Sequence, residues 1–290
     1  TLLRFPLTGT FGYEFAAVNG LLLVIIAGIF TLISISKSDY HFLNLFFQLF
    51  LFVLIPLVII IIKSVLTMFC SFWDGLLFYL LIVITSSVFG VALAFLIDLN
   101  LKRLRKTVFL FTIFIIALIP ILEIYFLPQV YFYSPLIGYF PGNIYDEGLS
   151  PDLKLFLHQL MVVAFSGTIL FSIIHFSRLV SNHKVIFIVI VLIIVGAFQY
   201  LSPDIGFNTS YSKLNKKLYK MSSGSVFYLH YDELSFDEVK YITYNIMYYY
   251  RELEKVLKVK PSKQIDIYLF NNSLYHGISD SNISLKPARV

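Results

Sequence analysis

From residue 15 to residue 201 the chain alternates long apolar runs with short polar breaks, and six of the runs reach the ~20 residues that a helix needs to cross the hydrocarbon core of a bilayer. They lie at about 15–36, 42–62, 75–97, 107–127, 156–177 and 185–201. The fifth is the most polar, with His158, Gln159, Ser166, Gly167, Ser172 and His175, but a helix satisfies its own backbone in lipid whatever its side chains. Asn19, Asn44 and Gln48 are polar positions on apolar helices, while Gly20, Gly28, Gly90 and Gly167 are small enough to let helices approach closely. Pro56 and Pro120 fall inside the second and fourth runs and predict kinks there.

Past residue 201 the period changes. "SVFYLHY", residues 225–231, is rich in β-branched and aromatic side chains and predicts a strand. Ser235 and Glu238 form the S-x-x-E pattern of a capping box, after which Val239, Ile242, Ile246, Tyr249, Leu253 and Val256 recur at helical spacing. Pro261 stops that helix, and "QIDIYLF" alternates Ile265, Ile267 and Leu269 with Asp266, Tyr268 and Phe270, as a strand with one apolar face does. The predicted fold is a membrane all-α bundle of about six transmembrane helices (1–201), a juxtamembrane linker (202–224) and a small extracytoplasmic α+β segment of β-α-β form (225–290).

Composition agrees with the pattern: 58% of residues are hydrophobic and 13% charged, against about 45–50% and about 25% in soluble domains. The lipid bilayer is thus the first expected partner. Residues 202–290 carry 12 of the 22 basic and 9 of the 17 acidic residues, which marks them as the water-facing part. Short loops rich in Lys and Arg favour the cytoplasm. "LKRLRKT", with Lys102, Arg103, Arg105 and Lys106, is the strongest such marker and groups with Lys37, Arg178 and Lys184 against Arg4, Lys63 and Lys154. Six crossings then deliver the tail outside. "KLNKKLYK" (Lys213, Lys216, Lys217, Lys220) argues the other way, because it places a basic cluster just after the sixth run.

The connection "PQVYFYSPLIGYFPGNIYDEG", residues 128–148, stands apart from its oily neighbours. Pro128, Pro135, Gly138, Pro141, Gly142 and Gly148 specify a shaped loop. Tyr125, Tyr131, Tyr133, Tyr139 and Tyr145 suit an interfacial cap. The sharper alternative is a polar site at the outer face lined by Glu123, Asp146 and Glu147.

Other chemistry is sparse. Cys70 is alone, so no internal disulfide forms. The histidines are His41, His158, His175, His183, His230 and His276, and none makes an H-E-x-x-H pair, the spacing that puts two imidazoles on one helix face with a glutamate to activate water. No catalytic, cofactor-binding or metal residue is therefore assigned. His158 and His175, near opposite ends of the fifth run, read as interfacial; His230, beside Asp232 and Glu233, reads as a strand-end histidine next to an acidic turn. G-x-S-x-G, phosphate-binding and dinucleotide fingerprints are missing. The basic residues are scattered through loops and tail rather than gathered on one face, so nucleic acid is not an expected partner.

"CSFWDGLLFYLL" (70–81), "EIYFLPQVYFYSPLIGYFPGNIYDEGL" (123–149) and the tail from "VFYLHYDELSF" to "IDIYLFNN" (226–272) resemble a bacterial family of multi-spanning membrane proteins with a C-terminal peptidase MA-like, gluzincin-type domain. The resemblance implies a bacterial inner (cytoplasmic) membrane protein with an extracytoplasmic C-terminal segment. Zinc and a protein or peptide substrate would belong to the full-length protein. With Thr1 in place of an initiating methionine and no zinc motif before Val290, the chain is expected to be a fragment. Three functions stay open at this point: a membrane platform for a metallopeptidase, a transporter or permease-like subunit, and a non-enzymatic anchor or sensor. Oligomeric state is not legible.

Overall fold

The structure is a computed structural model that describes residues 9–36, 42–67, 72–101, 103–127, 132–140, 150–176, 193, 194, 196, 197, 200, 201, 207, 211–232, 234–258 and 264–269. The chain divides into two units, Thr1–Tyr125 with Phe132–Leu201, and Phe126–Tyr131 with Ser202–Val290.

The first unit is helical: α1 (Tyr13–Ile35), α2 (Phe42–Thr67), α3 (Phe72–Tyr79), a π-helical turn (Leu80–Ile84), α4 (Thr85–Asn100), α5 (Arg105–Phe126) and α6 (Leu153–Phe176). Because α3, the π turn and α4 run on as one 29-residue span, these pieces make five helices long and apolar enough to cross a membrane among the described residues. They coincide with the first five runs of the sequence. Of the sixth run, 185–201, only residues 193, 194, 196, 197, 200 and 201 are described.

Contacts fix the directions of the spans. Gly20 of α1 lies against Ile82 and Ser86, and Val24, one turn on, lies against Gly90, so α1 and the third span run parallel. Thr85 meets Gln159, and Ala92, two turns later, packs with Ile169, so α6 runs parallel to them too. In α2 the order is reversed: Leu45 and Leu49 pack with Ala27, whereas Lys63 donates to the Gly9 carbonyl at 2.5 Å. The first, third and fifth spans thus share one direction, as alternating crossings require, and the polar fifth run packs as a full member of the bundle.

Small residues set the spacing. A Cβ on Gly90 would stand 2.5 Å from the Val24 carbonyl oxygen, and a Cβ on Gly28 would enter the Phe109 ring. Without a hydrophobic force between helices in lipid, such close backbone approach supplies the packing energy. Gly167 differs from the expectation, because nothing lies within 4 Å of where its Cβ would be. Pro56 removes one backbone N–H from α2. Nearby, the Tyr79 hydroxyl donates to the Val53 carbonyl at 2.6 Å, tying the third span to α2. At the far end of α4, Arg105 holds the buried Asp98 carboxylate at 2.5 Å and starts α5 beside it.

The second unit contains α7 (Tyr211–Lys217), β3 (Lys220–Ser223), β4 (Phe227–Tyr231), α8 (Phe236–Leu257) and β5 (Ile265–Tyr268). The sheet order is β3-β4-β5, with β3 antiparallel and β5 parallel to β4. β4, α8 and β5 form a β-α-β unit, and within the stretch read as a juxtamembrane linker residues 211–217 form a helix and 220–223 an edge strand. "KMSS" carries no apolar alternation, because β3 buries little and is held by its ladder to β4. One sheet face, Phe227, Leu229, Ile265 and Ile267, packs on Val239, Ile242 and Ile246 of α8. The rest of the predicted stripe, Tyr249, Leu253 and Val256, is exposed. Geometry explains this: a 22-residue helix is about 33 Å long, while β4, with five residues, is about 17 Å, so the helix overhangs the sheet.

The capping box is complete. The Ser235 side chain accepts from the Glu238 amide, and Glu238 accepts from the Ser235 amide at 2.8 Å. The Ser235 amide and then the Ser235 hydroxyl, both donating to the Glu238 carboxylate, lower its pKa from the ordinary glutamate value. A depressed folded-state pKa contributes stability that is present above the unfolded pKa and lost as pH falls through the folded one. Amide-exchange protection in the first turn of α8 is therefore expected to survive the ordinary glutamate titration and to fall only at lower pH. Glu238→Gln should remove that pH dependence, and Ser235→Ala should cost about 1 kcal/mol of helix stability.

Candidate functional site

The loop that looked like an interfacial cap enters the bundle. Its described part is a hairpin, β1 (Phe132–Ser134) and β2 (Gly138–Phe140), with Ser134 opposite Gly138. The tip residue Leu136 is 1% exposed and belongs to the buried cluster that runs through Val24, Leu32, Ala94, Ile97, Phe109 and Ile113. Its carbonyl oxygen would lie 2.8 Å from a Cβ on Gly20, a position roughly 10 Å along α1 from Tyr13. Irregular backbone at such depth is tolerated only when buried in protein. Here the hairpin supplies its own ladder, Leu136 N–H donates to Ser134 Oγ at 3.2 Å, and the Tyr13 hydroxyl donates to the Tyr139 carbonyl. Gly138 has φ +80, and a Cβ there would also stand 2.7 Å from Ile82. Turn conformation and lack of room together require glycine.

Beneath the hairpin the bundle is polar. Thr85, Ser86 and Ser87 follow the π turn directly, and all three are buried. A π turn shifts the backbone ladder by one residue and leaves carbonyls short of donors. The three hydroxyls fill that role: Thr85 donates to Leu81, Ser86 to Ile82 at 2.7 Å and Ser87 to Val83 at 2.7 Å. From α6, His158, Gln159 and Ser166 are buried at 5%, 1% and 0% exposure. The Tyr133 ring lies 5.2 Å from the His158 ring, and this histidine is covered by protein. The reason is the hairpin itself, which covers the start of α6 where a bare helix end would meet headgroups.

Thr85 Oγ1 lies 2.7 Å from Gln159 Oε1. A hydroxyl has one proton, and the Leu81 carbonyl at 2.5 Å competes for it. In this orientation the Gln159 NH2 has no hydrogen-bond partner among the described residues. The Ser166 hydroxyl also has no hydrogen-bond partner among them.

Glu123 is half-buried in the last turn of α5, while Asp146 and Glu147 lie outside the described residues. His175 is helical, with its side chain outside the described set. His230 does not pair with Asp232; its Nε2 is 3.0 Å from Asp266 on β5, and its ring stacks on Tyr268 at 4.6 Å. Glu233 lies outside the described residues. Burial first, then the Asp266 charge and Tyr211, push the Tyr268 hydroxyl up to about 12, so it stays protonated beside the pair. Among the described residues no three His, Cys, Asp or Glu side chains converge on a point that would hold a metal.

No protein-family model, curated protein or solved structure matches the chain.

Proposed function

We infer that this multi-pass membrane protein is a platform whose helix bundle carries an α/β segment at the bilayer surface, and that the segment opens a peptidase MA-like domain. The observation behind this reading is the parallel β4-β5 pair bridged by the capped helix α8, the unit that the resemblance led us to expect, on the same chain as five apolar helices. The 290 residues contain no H-E-x-x-H, so the platform itself has no zinc-bound water with which to attack a peptide bond.

The reading places the protein in a bacterial inner membrane, with the basic 102–106 loop inside and the hairpin outside. The end of α6 is then inside, and a crossing by 185–201 would bring the tail out. Two experiments test it. The gene read past Val290 should encode H-E-x-x-H in frame, and the whole product should bind zinc and cleave a denatured protein; an open reading frame without the motif removes the peptidase. A reporter fused after Val290 should be active only outside the cytoplasm, and activity inside would move the tail to the side of the basic loop.

A further inference from the structure

The bundle has a polar interior that a membrane platform does not need. Gln159 and Ser166 are seven residues apart on α6, on the face turned to α4, and roughly 10 Å apart along the helix axis. Both are more than nine-tenths buried, and each has a polar atom with no hydrogen-bond partner among the described residues. Leaving such an atom dry is unfavourable, and apolar residues at these positions would avoid the cost. Thr85 faces Gln159 across the seam, its proton drawn by the Leu81 carbonyl and its oxygen still able to accept, whereas Ser86 turns to Gly20 of α1.

We propose that the α4–α6 seam, between Gln159 and Ser166, is a binding site for an uncharged hydroxyl compound, water being the smallest, closed on one side by the 132–140 hairpin. The chemistry of the lining selects the class. Amide and hydroxyl groups donate and accept without net charge, and the polar residues of the seam, Thr85, Gln159 and Ser166, carry no charge to offset a charged guest. The aliphatic contacts of Ala92, Ile169 and Leu170 end the polar stretch beyond Ser166, so the polar lining does not continue along the seam.

Thiol chemistry reads this directly, because only the thiolate attacks a thiosulfonate and a thiol in a dry, apolar seam does not ionise. In the full-length chain with Cys70→Ala, Ser166→Cys should react with methyl methanethiosulfonate, forming the mixed disulfide and releasing methanesulfinate. Its rate should exceed that of Ile169→Cys, which is 3% exposed and packed on Ala92, by about tenfold or more. Equal, slow rates at the two positions overturn the proposal. Molar glycerol that slows the reaction at 166 assigns the site to larger hydroxyl compounds, and an unchanged rate assigns it to water. If the cysteine variant does not fold, thermal unfolding of Ser166→Ala in detergent decides: a lowered midpoint means the hydroxyl had a partner in the site, and an unchanged or raised one means it was dry and overturns the proposal.

Discussion

Gly90→Leu is expected to dismantle the membrane unit, whereas Gly167→Leu is expected to leave it intact. The two glycines are both in apolar spans and look alike in sequence, but they meet different surroundings. At 90 a Cβ would sit 2.5 Å from the Val24 carbonyl oxygen and 2.9 Å from the Val24 side chain. The obstacle is the backbone of a neighbouring helix, which cannot rotate away as a side chain can. Relief requires α1 and α4 to part along their shared length, and that also unseats Val24 from the cluster holding Leu136, the hairpin tip. Overpacking a tight core costs about 1–3 kcal/mol when side chains adjust; with backbone in the way the cost should reach the top of that range or pass it. At 167 nothing lies within 4 Å, and leucine should cost little. Heating the detergent-solubilised proteins and following the monodisperse fraction by size exclusion checks both. Equal midpoints would mean that close approach at Gly90 does not hold the bundle together.

Helix existence was legible because lipid and backbone impose one simple rule, long apolar runs in helical form, and all five described spans fall where that rule put them. What the rule could not reveal was which polar positions face inward. Ser166 and Gly167 are neighbours with opposite fates, one fully buried and the other open, and only the packing of α6 on α4 decides between them. The hairpin carried a local signal that reading by composition passed over: "YFYSPLIGYF" sets aromatic pairs on both sides of a Pro-to-Gly turn. Its tyrosines pointed to an interface, and Tyr125, 62% exposed, fits that, but Tyr139 at 3% is fixed inside by stacking on Tyr13. In the tail the capping box and the alternation of β5 are local and were readable. The pairing of His230 with Asp266 was not, because 36 residues separate them and only the parallel register of β4 and β5 brings them within reach.

Phe227→Ala should release the tail from its fold while the membrane spans stay helical. Phe227 is 1% exposed at the centre of a small core, against Leu229, Val239, Ile242, Ile246, Ile265 and Ile267. Truncating a buried phenylalanine costs about 3–5 kcal/mol. Whole domains are stable by only about 5–15 kcal/mol, and a three-stranded sheet with one covering helix has little apolar area to draw on. The loss is therefore comparable to the entire stability of the unit. Phe236→Ala is the matched control: its ring is 82% exposed at the start of α8, and a surface change there should stay within about 0.5 kcal/mol. Limited proteolysis of the full-length chain in detergent distinguishes them, with new cuts in 227–257 expected for Phe227→Ala and the native pattern for Phe236→Ala. Protection unchanged by Phe227→Ala would show that contacts outside this core hold β4 in place, and the small core would not be what stabilises the tail.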